Sequence, residues 1–181
     1  MTHELRDLSA GEEHAAHHTR SPTRGVLAAL GLTAAVTVAA VIGRLTMLGK
    51  GKPTRPWFRA LRKPSFQPPS WMFGPVWTIL YGAIAYSGWR VMRAPQSRQR
   101  SRALKLWGVQ LALNAGWTPL FFGARRPALA LVDICALDAA AAAYAASARK
   151  VDGQAAIVVS PYLAWIGFAT LLNASIVAKN R

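Results

Sequence analysis

Three groups of side chains, each at helical spacing inside a stretch without charge, carry what chemistry this sequence offers. Phe73, Trp77 and Tyr81 recur at i, i+4 and i+8 and share one helical face. Asn114, Trp117 and Phe121 fall within ~60° of one another when each residue turns a helix by ~100°. Pro161, Trp165, Phe168, Ala169 and Leu172 form a third stripe. This is aromatic and amide chemistry, suited to stacking and hydrogen bonding rather than to making bonds. Ordinary core and interface aromatics give the same periodicity, because tryptophan gathers at membrane boundaries. Asn114 is the residue that argues for more: a polar group in a membrane-length apolar run pairs across helices or faces a cavity.

The usual catalytic arrangements are not found in the sequence. It offers no Ser-His-Asp candidate, phosphate-binding glycine loop or metal-ligand spacing, and all four histidines lie within residues 1–24, outside every apolar run. No catalytic residue and no metal site is expected. His14, His17 and His18 read as part of a solvated tail. Asp133 and Asp138 are expensive in lipid and must face protein or an aqueous cavity. For Asp133 the expectation is a structural bond to a neighbouring helix or to the turn at Arg125 and Arg126; proton transfer is the alternative. Gly108, Ala112 and Gly116 form a small-residue ridge roughly opposite the Asn114 face, read equally well as a dimer contact or as close packing inside one chain. Cys135 is alone and lies in an apolar run, where a small core residue is expected.

The elements that position these residues follow from where charge is absent. The chain has 181 residues, 52% hydrophobic, with 22 Lys+Arg against 7 Asp+Glu and a formal charge of +15. Charge alone suggests nucleic acid and hydrophobicity alone suggests a membrane. Runs 25–43, 64–89, 106–124 and 153–178 contain no Asp, Glu, Lys or Arg, and 127–148 contains only Asp133 and Asp138. A bilayer core of ~30 Å takes about 20 apolar residues as helix, so all five are of membrane length. A soluble domain of this size has no interior that could bury five such helices. Nucleic acid is thereby excluded as a partner, and the lipid bilayer becomes the expected one. The bases lie in the connections, where they meet water and headgroups.

The expected organisation is a disordered polar tail over 1–24 and a transmembrane domain over 25–181. Its helices fall at about 25–48, 69–93, 103–123, 127–148 and 154–178. Pro68 and Pro69 suit the second start, and 94–102 (APQSRQRSR) reads as an exposed loop. Gly123, Arg125, Arg126 and Pro127 make a tight turn, and Pro161 should kink or break the last helix. Glu12 and Glu13 argue against a signal peptide, so the first span is retained. Each side of the membrane carries eleven bases, which leaves orientation open.

Three sequence blocks carry a specific resemblance. Trp57-Phe58 followed by LRKPSFQPPSWMFGPVWTILY (61–81), then LALNAGWTPLFFGARRPALALVD (111–133), then PYLAWIGFATLLN (161–173), resemble the TspO/MBR family in order and spacing. The resemblance implies an all-α integral membrane bundle of five transmembrane helices, a homodimer, and a ligand cavity capped by the first connection. It implies no covalent cofactor. The ligand class is porphyrins such as protoporphyrin IX, related tetrapyrroles and similar flat apolar molecules. Carried over motif by motif, Trp77, Asn114, Trp117, Trp165, Phe168, Ala169 and Leu172 would line the cavity, joined by Tyr81 and Phe121 from the same helical faces. Arg59, Arg62 and Lys63 at the cap could meet porphyrin carboxylates. The sterol-recognition pattern of animal members is broken by Ala174, and Ile166-Gly167-Phe168 replaces their sterol-enhancing pattern, so sterol is a doubtful ligand.

The function expected is therefore a membrane sensor or carrier for tetrapyrroles. A tryptophan-dependent, light-driven porphyrin degradase using the same pocket is the alternative, and a scaffold without ligand is the third reading. Alanine- and arginine-rich usage points to a bacterial cytoplasmic membrane.

Overall fold

The computed structural model describes residues 54–181 and, upstream, Gly31, Ala34, 36–39 and Val41, all seven on helical backbone. The expected tail over 1–24 and most of the expected span over 25–48 lie outside the described residues. Val36 and Ala39, one turn apart, are buried in the main core.

A short helix α1 (Thr54–Ala60) precedes four long ones: α2 (Ser70–Arg93), α3 (Arg98–Thr118), α4 (Pro127–Arg149) and α5 (Gly153–Lys179). At 1.5 Å per residue each long helix exceeds the ~30 Å of a bilayer core. By length and composition α4 and α5 meet the requirement for a membrane span outright. The order of packing is α3 on α4, α4 on α5 and α5 on α2, with α2 closing back onto α3. Large apolar side chains point outward from this bundle: Ile79 is 72% exposed and Val132 68%. That is costly in water and favourable against acyl chains.

Local chemistry explains most boundaries. Ser97 caps α3 by accepting the Arg100 amide at 3.1 Å, so the helix begins at Arg98 and takes in most of the stretch expected to be a loop. Asp152 caps α5, accepting the Gln154 and Ala155 amides at 2.9 and 3.2 Å. Pro161 neither breaks α5 nor ends it. The carbonyl its missing N–H would have served, Ile157 O, accepts the Ser160 hydroxyl instead at 2.8 Å.

After Thr118 the chain widens into a π-helical turn, Pro119–Gly123. Pro119 has no N–H to donate, and the ladder slips by one residue so that Ala124 donates to Pro119 O at 2.8 Å. Within the turn expected over 123–127, Arg125 takes the left-handed conformation, at φ 55°. Cys135 is exposed on the outer side of α4, in contrast to the core place expected for it.

Where α2 crosses α3, Gly88 is required. A Cβ there would lie 2.6 Å from Trp107 Nε1, which donates to Ile84 O at 3.0 Å.

Candidate functional site

The faces of α2, α3 and α5 meet around a chain of hydrogen bonds. Tyr81 donates its hydroxyl to Asn114 Oδ1 at 2.8 Å, Asn114 Nδ2 donates to the Tyr162 hydroxyl at 3.2 Å, and Tyr162 donates to Gln110 Oε1 at 2.8 Å. Tyr162 and Gln110 are fully buried and Asn114 is 6% exposed. This relay supplies the cross-helix partners that a buried Asn114 demands. Gln110 Nε2 is left without a partner among the described residues.

Around the relay the candidate residues fall into two adjoining aromatic patches. In the first, Trp77 lies against Tyr81 (5.2 Å between ring centroids) and meets Tyr162 edge-on at 6.4 Å. Trp165 takes Phe73 edge-on at 5.8 Å and lies 5.7 Å from Phe168, which in turn meets Phe66 at 6.2 Å. Ala169 packs on this side. In the second, Trp117 stacks on Phe121 at 5.0 Å, and Leu172 packs beside them. Trp117 packs against the main core as well as against the Phe121 cluster.

The nine residues do not contribute equally. Trp77, Tyr81, Trp117, Trp165, Phe168, Ala169 and Leu172 are half-buried and keep surface to offer. Phe121 is 1% exposed, covered by Trp57, Phe58 and Phe122 as well as Trp117, so it seats α1 rather than presenting a wall.

The three bases of the cap are held differently from one another. Arg59 and Arg62 are exposed. The Arg62 backbone is clipped to the end of α5: its N–H donates to Asn180 Oδ1 and its carbonyl accepts from Asn180 Nδ2, both at 2.9 Å. Lys63 turns back on its own loop. Its Nζ donates to Arg59 O and Leu61 O at 3.2 Å and lies 4.6 Å from the Phe58 ring centre.

Of the small-residue ridge, Gly108 and Ala112 are exposed, whereas a Cβ on Gly116 would meet Asp133 Oδ1 at 3.6 Å. One part of the ridge is thus open and the other packs within the chain. The helix-to-helix bond expected of Asp133 is made by Asp138. Asp138 accepts the Thr170 hydroxyl at 2.7 Å, joining α4 to α5, while Asp133 makes no hydrogen bond among the described residues and its Oδ2 is buried.

Sequence reasoning missed Gln110, one turn before Asn114, and Tyr162, beside Pro161. It also missed Ser87, which donates to Ala155 O at 2.8 Å and so receives its 2.6 Å bond from the Tyr144 hydroxyl. The signal available was a buried amide or hydroxyl in a charge-free run.

Comparison with known sequences agrees with this architecture. Residues 32–178 match the TspO/MBR family. The Translocator protein of Homo sapiens is 40% identical over 147 residues, covering 80% of this chain and 85% of its own. The Tryptophan-rich protein TspO of Archaeoglobus fulgidus is 35% identical over 154 residues, covering 83% and 97%. The Tryptophan-rich sensory protein of Cereibacter sphaeroides is 38% identical over 117 residues, covering 65% and 72%. Together with long helices that turn apolar side chains outward, these matches make the chain an all-α integral membrane protein that belongs to the TspO/MBR family.

Proposed function

We propose that this protein is a membrane sensor or carrier for porphyrins and related flat apolar tetrapyrroles, bound between the aromatic faces of α2, α3 and α5. One observation carries the reading. A buried amide, Asn114, is bonded to Tyr81 and Tyr162, and half-buried Trp77, Trp117 and Trp165 pack on the same core from three helices. Aromatic walls hold a flat ring by stacking and edge contact, and a fixed amide gives it one orientation. In this reading Arg59 and Arg62, exposed at the cap, meet carboxylates at the ring's edge. The working form in this reading is a homodimer in a bacterial cytoplasmic membrane; exposed Gly108 and Ala112 and the bacterial relative support that assignment.

Titration of the purified protein with protoporphyrin IX in the dark tests the proposal through tryptophan fluorescence. Saturable quenching is expected, weakened about tenfold or more in Asn114→Ala, since the deletion leaves Tyr81 and Tyr162 without their partner. Absence of quenching in the folded protein overturns it. Illumination separates binding from breakdown. A binding protein leaves the Soret band unchanged, whereas a Soret band that decays in the parent and persists in Trp77→Phe/Trp165→Phe assigns a degradase instead.

A further inference from the structure

Residues 54–69 lie against one end of the candidate site. Trp57 meets Phe121 edge-on at 5.9 Å, and Phe58 meets Phe121 and Phe122 at 6.2 and 5.3 Å. Phe121 is the ring on which Trp117 stacks, and Leu172 packs in the same cluster. Further along, Phe66 reaches Phe168 at 6.2 Å. Trp117, Phe168 and Leu172 thus have this segment, or the rings that seat it, as neighbours.

Little else holds the segment down. α1 has 7 residues, too few for a helix to persist on its own. Between 56 and 69 only Pro64 is buried. Lys63 bonds Arg59 O and Leu61 O, which ties the loop to itself. Gln67 Oε1 is buried without a hydrogen bond among the described residues, a cost that the closed arrangement carries and an opened one relieves.

Against this stands Asn180 at the end of α5. Its carboxamide closes on both polar groups of the Arg62 backbone, accepting the N–H and donating to the carbonyl, each at 2.9 Å. The two residues are 118 positions apart. Nδ2 also donates to Ile176 O at 2.8 Å, which fixes the direction of the amide. Among the described residues no other hydrogen bond joins 54–69 to α3, α4 or α5. A carboxamide suits the task because it carries a donor and an acceptor side by side, matching one residue's peptide groups. A carboxylate there would only accept, and a Lys or Arg only donate.

We propose that Asn180 is the latch of a cap formed by residues 54–69, and that release of the Arg62 backbone sets how fast a ligand enters and leaves the aromatic site, the ligand being that of the proposed function, on which this inference rests. Asn180 is a positioning residue and does not touch the ligand. The latch is closed before a ligand enters and closed again once it is seated, and it is broken only in passage. Its loss therefore speeds entry and exit by the same factor and leaves affinity unchanged.

Hydrogen exchange of the purified, ligand-free protein in detergent, followed by mass spectrometry, tests the latch by itself. Asn180→Ala is expected to raise exchange of the backbone amides over 57–67 at least about tenfold, with α3 and α4 unchanged. Lys179→Ala, which leaves the clip intact, should change nothing over 57–67. Unchanged exchange in Asn180→Ala, or a rise confined to the last turn of α5, overturns the proposal, because Asn180 then only ends a helix. Stopped-flow quenching by protoporphyrin IX in the dark tests what the latch does. Association and dissociation should each quicken about tenfold in Asn180→Ala, with Kd within about twofold of the parent. A weakened Kd with association unchanged also overturns it, since Asn180 would then belong to the binding wall. A parent protein that never quenches sinks the proposed function, and the claim on ligand exchange falls with it. Hydrogen exchange still decides in that case whether Asn180 holds the cap.

Discussion

Tyr162 has a single hydroxyl and uses it twice, accepting from Asn114 and donating to Gln110. That fixes the direction of the whole relay. Tyr162 spends its proton on Gln110, so it must receive one from Asn114, and the Asn114 carbonyl is left to accept from Tyr81. Removing the hydroxyl in Tyr162→Phe strands a buried donor and a buried acceptor, with an expected loss of about 1–2 kcal/mol in thermal or denaturant unfolding in detergent. Gln110→Ala breaks the same chain from its far end. The double variant should therefore cost clearly less than the sum of the singles, and strict additivity would show that the relay does not act as one unit. At this scale the sequence reveals which residues share a helical face, because i, i+4 spacing is local. It does not reveal which face of the next helix they meet. Asn114 was legible for that reason and its cross-helix partner Tyr162 was not, while Gln110, one turn earlier on the same face of α3, was within reach of the same spacing. The same blindness to helix rotation put the structural bond on Asp133, when it is Asp138 that reaches Thr170.

Charge-free runs identify the long helices, because lipid and core alike exclude charge, but helix ends depend on side-chain chemistry that the runs do not encode. The arginines of 94–102 read as a loop until Ser97 is seen as a cap, and the turn before α4 has its left-handed residue at Arg125. Contact between elements is set just as locally. Gly88 lets α2 approach the indole of Trp107, and that indole cannot retreat without losing its bond to Ile84 O. Gly88→Ala is expected to destabilise the protein by about 1–3 kcal/mol, the usual cost of overpacking a close contact. Trp107→Phe introduced into Gly88→Ala should recover part of the loss, since a smaller ring vacates the space the new methyl needs. A fully tolerated Gly88→Ala, read by unchanged unfolding, would mean that α2 and α3 are not held at this distance.

Across the whole molecule, basic side chains gather at both ends of the bundle, and the ion pair found among the described residues ties two helices together at one of them. Arg90 from the end of α2 meets Asp152 at the start of α5 at 2.9 and 3.2 Å, in a two-point contact between guanidinium and carboxylate. The same carboxylate caps α5, so one side chain both starts a helix and fastens its neighbour. Burial pushes the Asp152 carboxyl up, but the Arg90 hydrogen bond, the Ala155 and Gln154 amides and the Arg90 charge outweigh it, leaving the group below its ordinary range. A carboxylate with a lowered folded pKa adds stability that is fully present above its unfolded value of about 3.9 and is lost as pH falls towards the folded value. In Asp152→Asn that contribution is absent at every pH. The melting temperature of the parent should therefore exceed that of Asp152→Asn by a constant margin from neutral pH down to about pH 4, and the margin should shrink below it. Both side chains are partly exposed, so added salt should narrow the gap at neutral pH as well. A margin that stays flat through pH 3, or widens there, would show that the ionised carboxylate is not what holds α2 to α5.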